Sequence, residues 1–206
     1  MNTPASGGRP RSRDVDNAIL QAALELFIEA GYDGTSIEAV ADRAKTTRPA
    51  VYRRYASKDE LLLAALEHHQ KATETGLAHD EQQTLMSLLE FWTGPEVARN
   101  LTEERHWKLM AHLIGAVPQR PEFFEQYRRA TMEPRREWNN DVLRKAQDEG
   151  LLDKKIDPDI LQDMFNGAIL MQLLGTSQQP TAQEMQAYIK RLAVQLGLPE
   201  IQRTGS

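Results

Sequence analysis

Apolar positions along the chain recur at helical spacing rather than in the alternation that marks strands. Val15, Ile19, Ala22, Leu26 and Ala30, widened by Ala23 and Phe27, form one stripe and predict a helix from Asp14 to Ala30, ended by Gly31. Thr35-Ser-Ile-Glu38 has the form of a capping box and predicts a short second helix to about Ala44. Thr47, with Pro49 behind it, predicts a third short helix ending near Tyr55. Ser57-Lys-Asp-Glu60 opens a fourth, to about Thr75. Further stripes predict helices over 81–93, 96–116 with a break near Asn100 to Thr102, 121–149, 158–174 and 181–197. Pro134 should kink or split the 121–149 segment, since a proline forced into a helix interior costs ~3 kcal/mol. Asp157-Pro158 and the box Thr181-Ala-Gln-Glu184 mark two helix starts. The prediction is an all-α protein of about nine helices.

With 206 residues, 40% of them hydrophobic and 27% charged, the chain has material for one large core or two small ones. It contains no cysteine, which excludes disulfide scaffolds, thiolate metal sites and cysteine nucleophiles. No run of ~18 apolar residues suggests a membrane span, and the first residues lack the apolar core of a secretory signal. A cytoplasmic setting is expected.

The formal net charge is −5, but it is unevenly spread. From Arg43 to Lys58 there are six basic residues (Arg43, Lys45, Arg48, Arg53, Arg54, Lys58) and no acidic one. Residues 1–60 balance at nine basic and nine acidic side chains, whereas 61–206 hold 16 basic and 21 acidic. Phosphates respond to the field within about a Debye length, ~8–10 Å, so the local stripe outweighs the total. It falls on the second and third helices, which a tight turn at Lys45-Thr46 joins into a helix-turn-helix. Val40, Ala41, Ala44, Val51 and Tyr55 supply the apolar contacts between them. The remaining face, with its threonines, tyrosine and arginines, can reach phosphates and base edges in a major groove ~12 Å wide. Upstream, Arg9, Arg11 and Arg13 lie in an arm over 1–13 that reads two ways: arginines entering a minor groove, or a solubilising tail.

The stretch Ile19 to Leu66 resembles the N-terminal domain of the TetR family of bacterial transcriptional regulators. The resemblance rests on Ala-x-x-Leu-Phe in the first helix, Gly31-Tyr32, Gly34-Thr35-Ser36, the Tyr-x-x-Tyr third helix and Ser57-Lys-Asp-Glu-Leu-Leu62. A looser likeness to the family's seventh and eighth helices runs from Arg144 through Asp157-Pro-Asp to Gly167-Ala168. The resemblance implies a helix-turn-helix domain over 14–60 and a ligand-binding and dimerisation domain over 61–206. It implies that Thr35 touches a phosphate, that Thr46, Thr47, Arg48 and Ala50 face the groove, and that Tyr52 and Lys58 hold the DNA backbone. Arg53 and Arg54 would read bases or phosphates, Arg54 standing where the family often has histidine. Lys45 stands where the family usually has glycine, and a left-handed backbone there would cost lysine ~1–2 kcal/mol.

In the C-terminal part, Ile160 to Leu174 is apolar on nearly all sides, and Met185, Tyr188, Ile189, Leu192, Ala193 and Leu196 form a stripe. Both read as core or as a two-fold interface; the family resemblance implies a homodimer through 158–174 and 181–197. Trp107, Met110, Phe124, Tyr127, Trp138 and Phe165 read as core or as the lining of an effector pocket, with His106 and Asn166 as polar contacts. The functional expectation is a repressor released from its operator DNA by a small apolar or aromatic effector. No cofactor is expected, and no catalytic or metal site. His68 and His69 diverge on a helix, His106 and His112 do not share a face, and no His-x3-His pair occurs. Two competing classes are a helical carrier or enzyme whose basic helix does not meet DNA, and a non-specific architectural DNA binder.

Overall fold

The computed structural model describes residues 13–73, 83–176 and 178–200. Among them are α1 (Arg13–Gly34), α2 (Ile37–Arg43), α3 (Arg48–Tyr52), α4 (Lys58–Thr73), α5 (Leu85–Trp92), α6 (Pro95–Thr102), α7 (Glu104–Gln119) and α8 (Pro121–Tyr127). A π-helical turn (Arg128–Met132), α9 (Glu133–Asp148), α10 (Pro158–Leu174) and α11 (Ala182–Gln195) follow, and no strand occurs among the described residues. The nine sequence-predicted segments are all present, two of them divided. The 96–116 segment breaks at Glu103, where ψ is 136°. The 121–149 segment runs without a gap but changes pitch. Pro134 lacks an N–H, and the π turn just before it shifts the ladder, Glu133 N–H reaching back to Arg128 O. Pro134 then falls in the first turn of α9, where no intrahelical donor is needed.

The chain divides into two compact units, Met1–His69 and Gln70–Ser206. The sequence-based boundary at 60/61 lies nine residues earlier. Leu61, Leu62, Ala65 and Leu66 of α4 are all buried and lie in the first unit, so the unit takes in more than the helix-turn-helix.

The first unit is built on Ile19, Ala23, Phe27, Val40, Val51, Leu61 and Leu62, each essentially inaccessible. Gly31 breaks α1 with φ 69°, a left-handed value that glycine adopts without strain. At Gly34 a Cβ would come within 2.4 Å of the Ala30 Cβ, so only glycine lets the chain turn back so closely. In the second unit, α5, α6, α9, α10 and α11 share a core of Leu85, Leu89, Ala98, Leu143, Leu161, Phe165, Met185 and Ile189. A buried amide ladder joins α9 to α10. Asn139 donates to Gln162 at 2.9 Å, Gln162 to Asn140 at 2.7 Å, and Asn140 to Asp159 at 3.0 Å. Burying these amides is tolerable because most of their bonds are met within the ladder. Helix starts follow their caps: Asp157 accepts from two amides of α10, and Thr181 and Glu184 form the expected reciprocal box.

Candidate nucleic-acid interface

Helix α2 starts one residue later than its sequence pattern predicts. Ser36, not Thr35, is the N-cap, its hydroxyl accepting from Ala39 N–H at 3.1 Å. Thr35 is 1% exposed, and its hydroxyl donates to Gly31 O at 2.8 Å while its N–H goes to Tyr32 O. The phosphate contact expected of its side chain is therefore corrected: Thr35 closes the end of α1. Beyond α2, Lys45 adopts φ 51°, the left-handed turn that suits glycine. The turn is held by Lys45 N–H on Asp42 O and Thr46 N–H on Ala41 O. Thr47 caps α3 through Ala50 N–H at 3.3 Å, with Pro49 in the first turn.

Helix α3 has only five residues, and α2 packs on it. Its inner side is Ala50 and Val51, both buried, so the expected groove contact by Ala50 is corrected too: its methyl faces inward. Its outer side is Thr47, Arg48, Pro49, Tyr52 and Arg53, all exposed, with Thr46 half-buried beside them. Tyr52 is 48% exposed, a large amphipathic side chain standing in solvent.

The six cations of the stripe divide into three kinds. Lys45 and Arg53 have no side-chain partner among the described residues. Arg48 pairs with Glu38 of α2, both more than half exposed, and Arg43 grips Glu29 of α1 with two bonds of 2.7 and 2.8 Å. That grip holds the Arg43 guanidinium above its ordinary pKa. Exposed pairs contribute ~0–1 kcal/mol, so Arg48 can trade a carboxylate for a phosphate at small cost. The third kind is internal. The Arg54 side chain is 13% exposed; Nε bonds Asp16 of α1, and Nη1 donates to Ala50 O at 2.9 Å. Lys58 Nζ donates to Tyr32 O at 2.8 Å and Thr35 O at 3.1 Å, and lies 4.0 Å from the Tyr32 ring centre. Charge-assisted hydrogen bonds contribute ~1.5–3 kcal/mol each, which favours keeping these two in place. Without DNA, then, Arg54 and Lys58, both expected at the DNA, have their side chains engaged on the protein itself, Arg54 on Asp16 and Ala50 O and Lys58 on Tyr32 O and Thr35 O. Arg13 belongs to α1 rather than to an arm, and Arg11 and Arg9 lie outside the described residues.

The six effector candidates sit in different packing environments. Phe165 is 5% exposed and stacks on Trp92, ring centres 4.8 Å apart, as core packing. Trp138, like Phe91 and Trp92, packs against the small cluster of Leu88 and Val142. Trp107 packs on the main core and donates its indole N–H to Gln179 at 3.1 Å. Phe124 and Tyr127 lie 6.1 Å apart on α8, and Met110 is half-buried on α7. An open groove of ≈ 940 Å³ lies elsewhere, between Leu89 to Pro95 and the side of α11 bearing Lys190, Arg191 and Val194; none of the six lines it. Among the described residues no three His, Asp or Glu side chains gather as a metal site, and no helix is long and apolar enough to cross a membrane.

Sequence reasoning missed Asp16, Glu29 and Glu38, the carboxylates that hold Arg54, Arg43 and Arg48. They lie 38, 14 and 10 residues from their partners, and nothing in their local sequence announces the pairing.

Comparison with known proteins agrees with this geometry. Residues 19–65 match the model of bacterial regulatory proteins of the tetR family, and residues 94–192 match the tetracyclin repressor-like C-terminal domain. The chain is 29% identical over 169 residues to the uncharacterized HTH-type transcriptional regulator YdeS of Bacillus subtilis, covering 82% of this chain and 83% of that protein. Its fold superimposes on a TetR-family regulator from Rhodococcus sp. with a TM-score of 0.69 at 15% identity, covering 91% of this chain and 100% of the other. It also matches SmeT, the repressor of the Stenotrophomonas maltophilia multidrug efflux pump SmeDEF, with a TM-score of 0.62 at 22% identity, covering 89% and 92%. A cationic helix-turn-helix head, an all-helical C-terminal unit and two family matches that together span most of the sequence lead to one conclusion: the chain belongs to the TetR family of bacterial transcriptional regulators and is a DNA-binding regulator of the helix-turn-helix type.

Proposed function

We propose that this regulator is a homodimeric repressor, working in the cytoplasm, that leaves its operator when a small apolar or aromatic effector binds the C-terminal unit. The observation that carries the DNA part is the outer face of α3, where Thr47, Arg48, Tyr52 and Arg53 are all exposed on a helix whose other side is buried. Thr46, Thr47, Arg48, Tyr52 and Arg53 form the reading set, with Lys45 beside them on the phosphates.

A single five-residue helix touches too few bases for selective binding, and a two-fold pair doubles the contact across half-sites ~34 Å or more apart. Helix α10 supports such pairing: Ile160, Met164, Met171 and Leu174 are each more than half exposed and follow one another at helical spacing. Helix α11 carries a further exposed apolar side chain, Val194, 46% exposed. Trp107, Met110, Phe124, Tyr127 and Trp138, half-buried and aromatic or thioether in character, are the proposed effector contacts. SmeT, a repressor by name, has the same fold. Fluorescence anisotropy with the DNA upstream of the protein's own gene tests this reading. Saturable binding that resists competition by unrelated duplex supports it, and binding that unrelated duplex abolishes overturns it. A panel of small aromatic compounds should then lower the affinity by the 5–150-fold typical of allosteric coupling.

A further inference from the structure

Helix α3 is too short to hold its own angle. Its last turn tightens, Arg54 N–H going to Val51 O rather than to the carbonyl four residues back. That leaves Ala50 O for a side chain, and the guanidinium of Arg54 takes it at 2.9 Å. The same guanidinium bonds Asp16, in the first turn of α1. One planar group thus links the C-terminal end of the recognition helix to the start of α1, with only 13% of its side chain exposed. Across the head, Lys58 performs a matching task, tying Tyr32 O and Thr35 O, at the junction of α1 and α2, to the start of α4.

We infer that Asp16 and Arg54 form a positioning pair for DNA recognition: they set the pitch of α3, and Arg54 acts through that angle rather than by touching DNA. The inference rests on α3 being the recognition helix. The pair makes opposite predictions from those of a phosphate-binding arginine. If Arg54 served the phosphates, removing the Asp16 charge would free it and tighten binding. As a positioning group it needs Asp16, so Asp16→Asn weakens selective binding. Lysine would keep the charge for a phosphate but lacks the fork that reaches two acceptors at fixed angles.

The test is anisotropy on the full-length protein. One probe is the tightest duplex that the wild-type protein selects from a random pool; the other is a scrambled duplex of the same length, both titrated over a range of salt. Asp16→Asn, Arg54→Met and Arg54→Lys should each weaken the selected duplex by about tenfold. The Asp16→Asn/Arg54→Met double variant should fall no further, because two groups acting as one unit are not additive. Affinity for the scrambled duplex and the slope of log K against log salt should stay as in wild type. Asp16→Asn, isosteric and 30% exposed, keeps the test valid should an Arg54 variant fail to fold; circular dichroism monitors each. Tighter binding by Asp16→Asn overturns the inference, as does wild-type affinity in Arg54→Lys, a slope lower by ~0.9 (the loss of one phosphate contact) in Arg54→Met, or no change in any variant. A wild-type protein that selects no duplex would overturn the recognition-helix reading itself, a distinct outcome.

Discussion

Two helices leave a whole face uncovered, and the faces are of opposite kinds. On α3 the exposed side is Thr47, Arg48, Tyr52 and Arg53, which water solvates well. On α10 it is Ile160, Met164, Met171 and Leu174, which water solvates poorly. The first can stay open until a charged duplex arrives, and its binding is mainly electrostatic and salt-sensitive. The second gains roughly 1–2 kcal/mol for each of these side chains that a partner covers, since each is already partly buried, with little dependence on salt. The supports differ as well. The five residues of α3 are clamped to α1 through Arg54 and Asp16, whereas α10 spans 17 residues and rests on its own inner stripe of Leu161, Phe165, Ile169 and Leu173.

The comparison breaks most sharply at α10. Met164→Glu together with Met171→Glu should turn a dimer into a monomer, weakening association by more than about a hundredfold on the burial estimate above. Sedimentation velocity reads this directly, and an unchanged dimer would remove α10 from the interface. Next in size, Arg53→Ala and Arg48→Ala should each cost ~1–3 kcal/mol of operator affinity if the side chain reads a base, with thermal stability unaltered. The Arg48 loss should be the smaller, because Glu38 already competes for it. Lys45→Gly separates stability from binding. It should raise the melting temperature by a few degrees, relieving up to ~1 kcal/mol of left-handed strain after glycine's own entropy cost, while operator affinity falls by about one phosphate contact.

The smallest effect belongs to the C-terminal unit. Arg128 and Arg129 both bond Glu125 and hold its carboxyl down from 4.5 to about 2. A depressed carboxyl stabilises the fold above its unfolded value and loses that contribution as pH falls through its folded one. Stability should therefore decline between about pH 4.5 and pH 2, and Glu125→Gln should flatten that part of an acid titration followed by circular dichroism. The head should not respond to this substitution.

Much of the fold is legible because caps and breakers act within a turn. Asp157, Thr181 and Gly31 do what their neighbours in sequence suggest. Thr35 and Ser36 mark the limit: two adjacent hydroxyls offer the same cap, and the fold decides by giving Thr35 to Gly31 O and α2 to Ser36. Pro134 correctly signals an interruption, but the pattern did not say that a π turn would absorb it in place of a kink or a split. Arg53 and Arg54 look alike in sequence; one is exposed and the other clamped, because Asp16, 38 residues away, lies within reach of only one.

Periodicity and a cationic stretch between short helices were enough to determine an all-helical chain with a basic helix-turn-helix near position 50, and the resemblance of Ile19 to Leu66 to a known family marked it as a regulator, since each of those signals is carried by residues close together in sequence. Tertiary structure alone decided which cations face outward, where Thr35 and Ala50 point, and which side of α10 stays bare. Those outcomes depend on carboxylates, carbonyls and apolar surfaces brought together from distant parts of the chain, and the direction of a long side chain is set by its nearest partner in space.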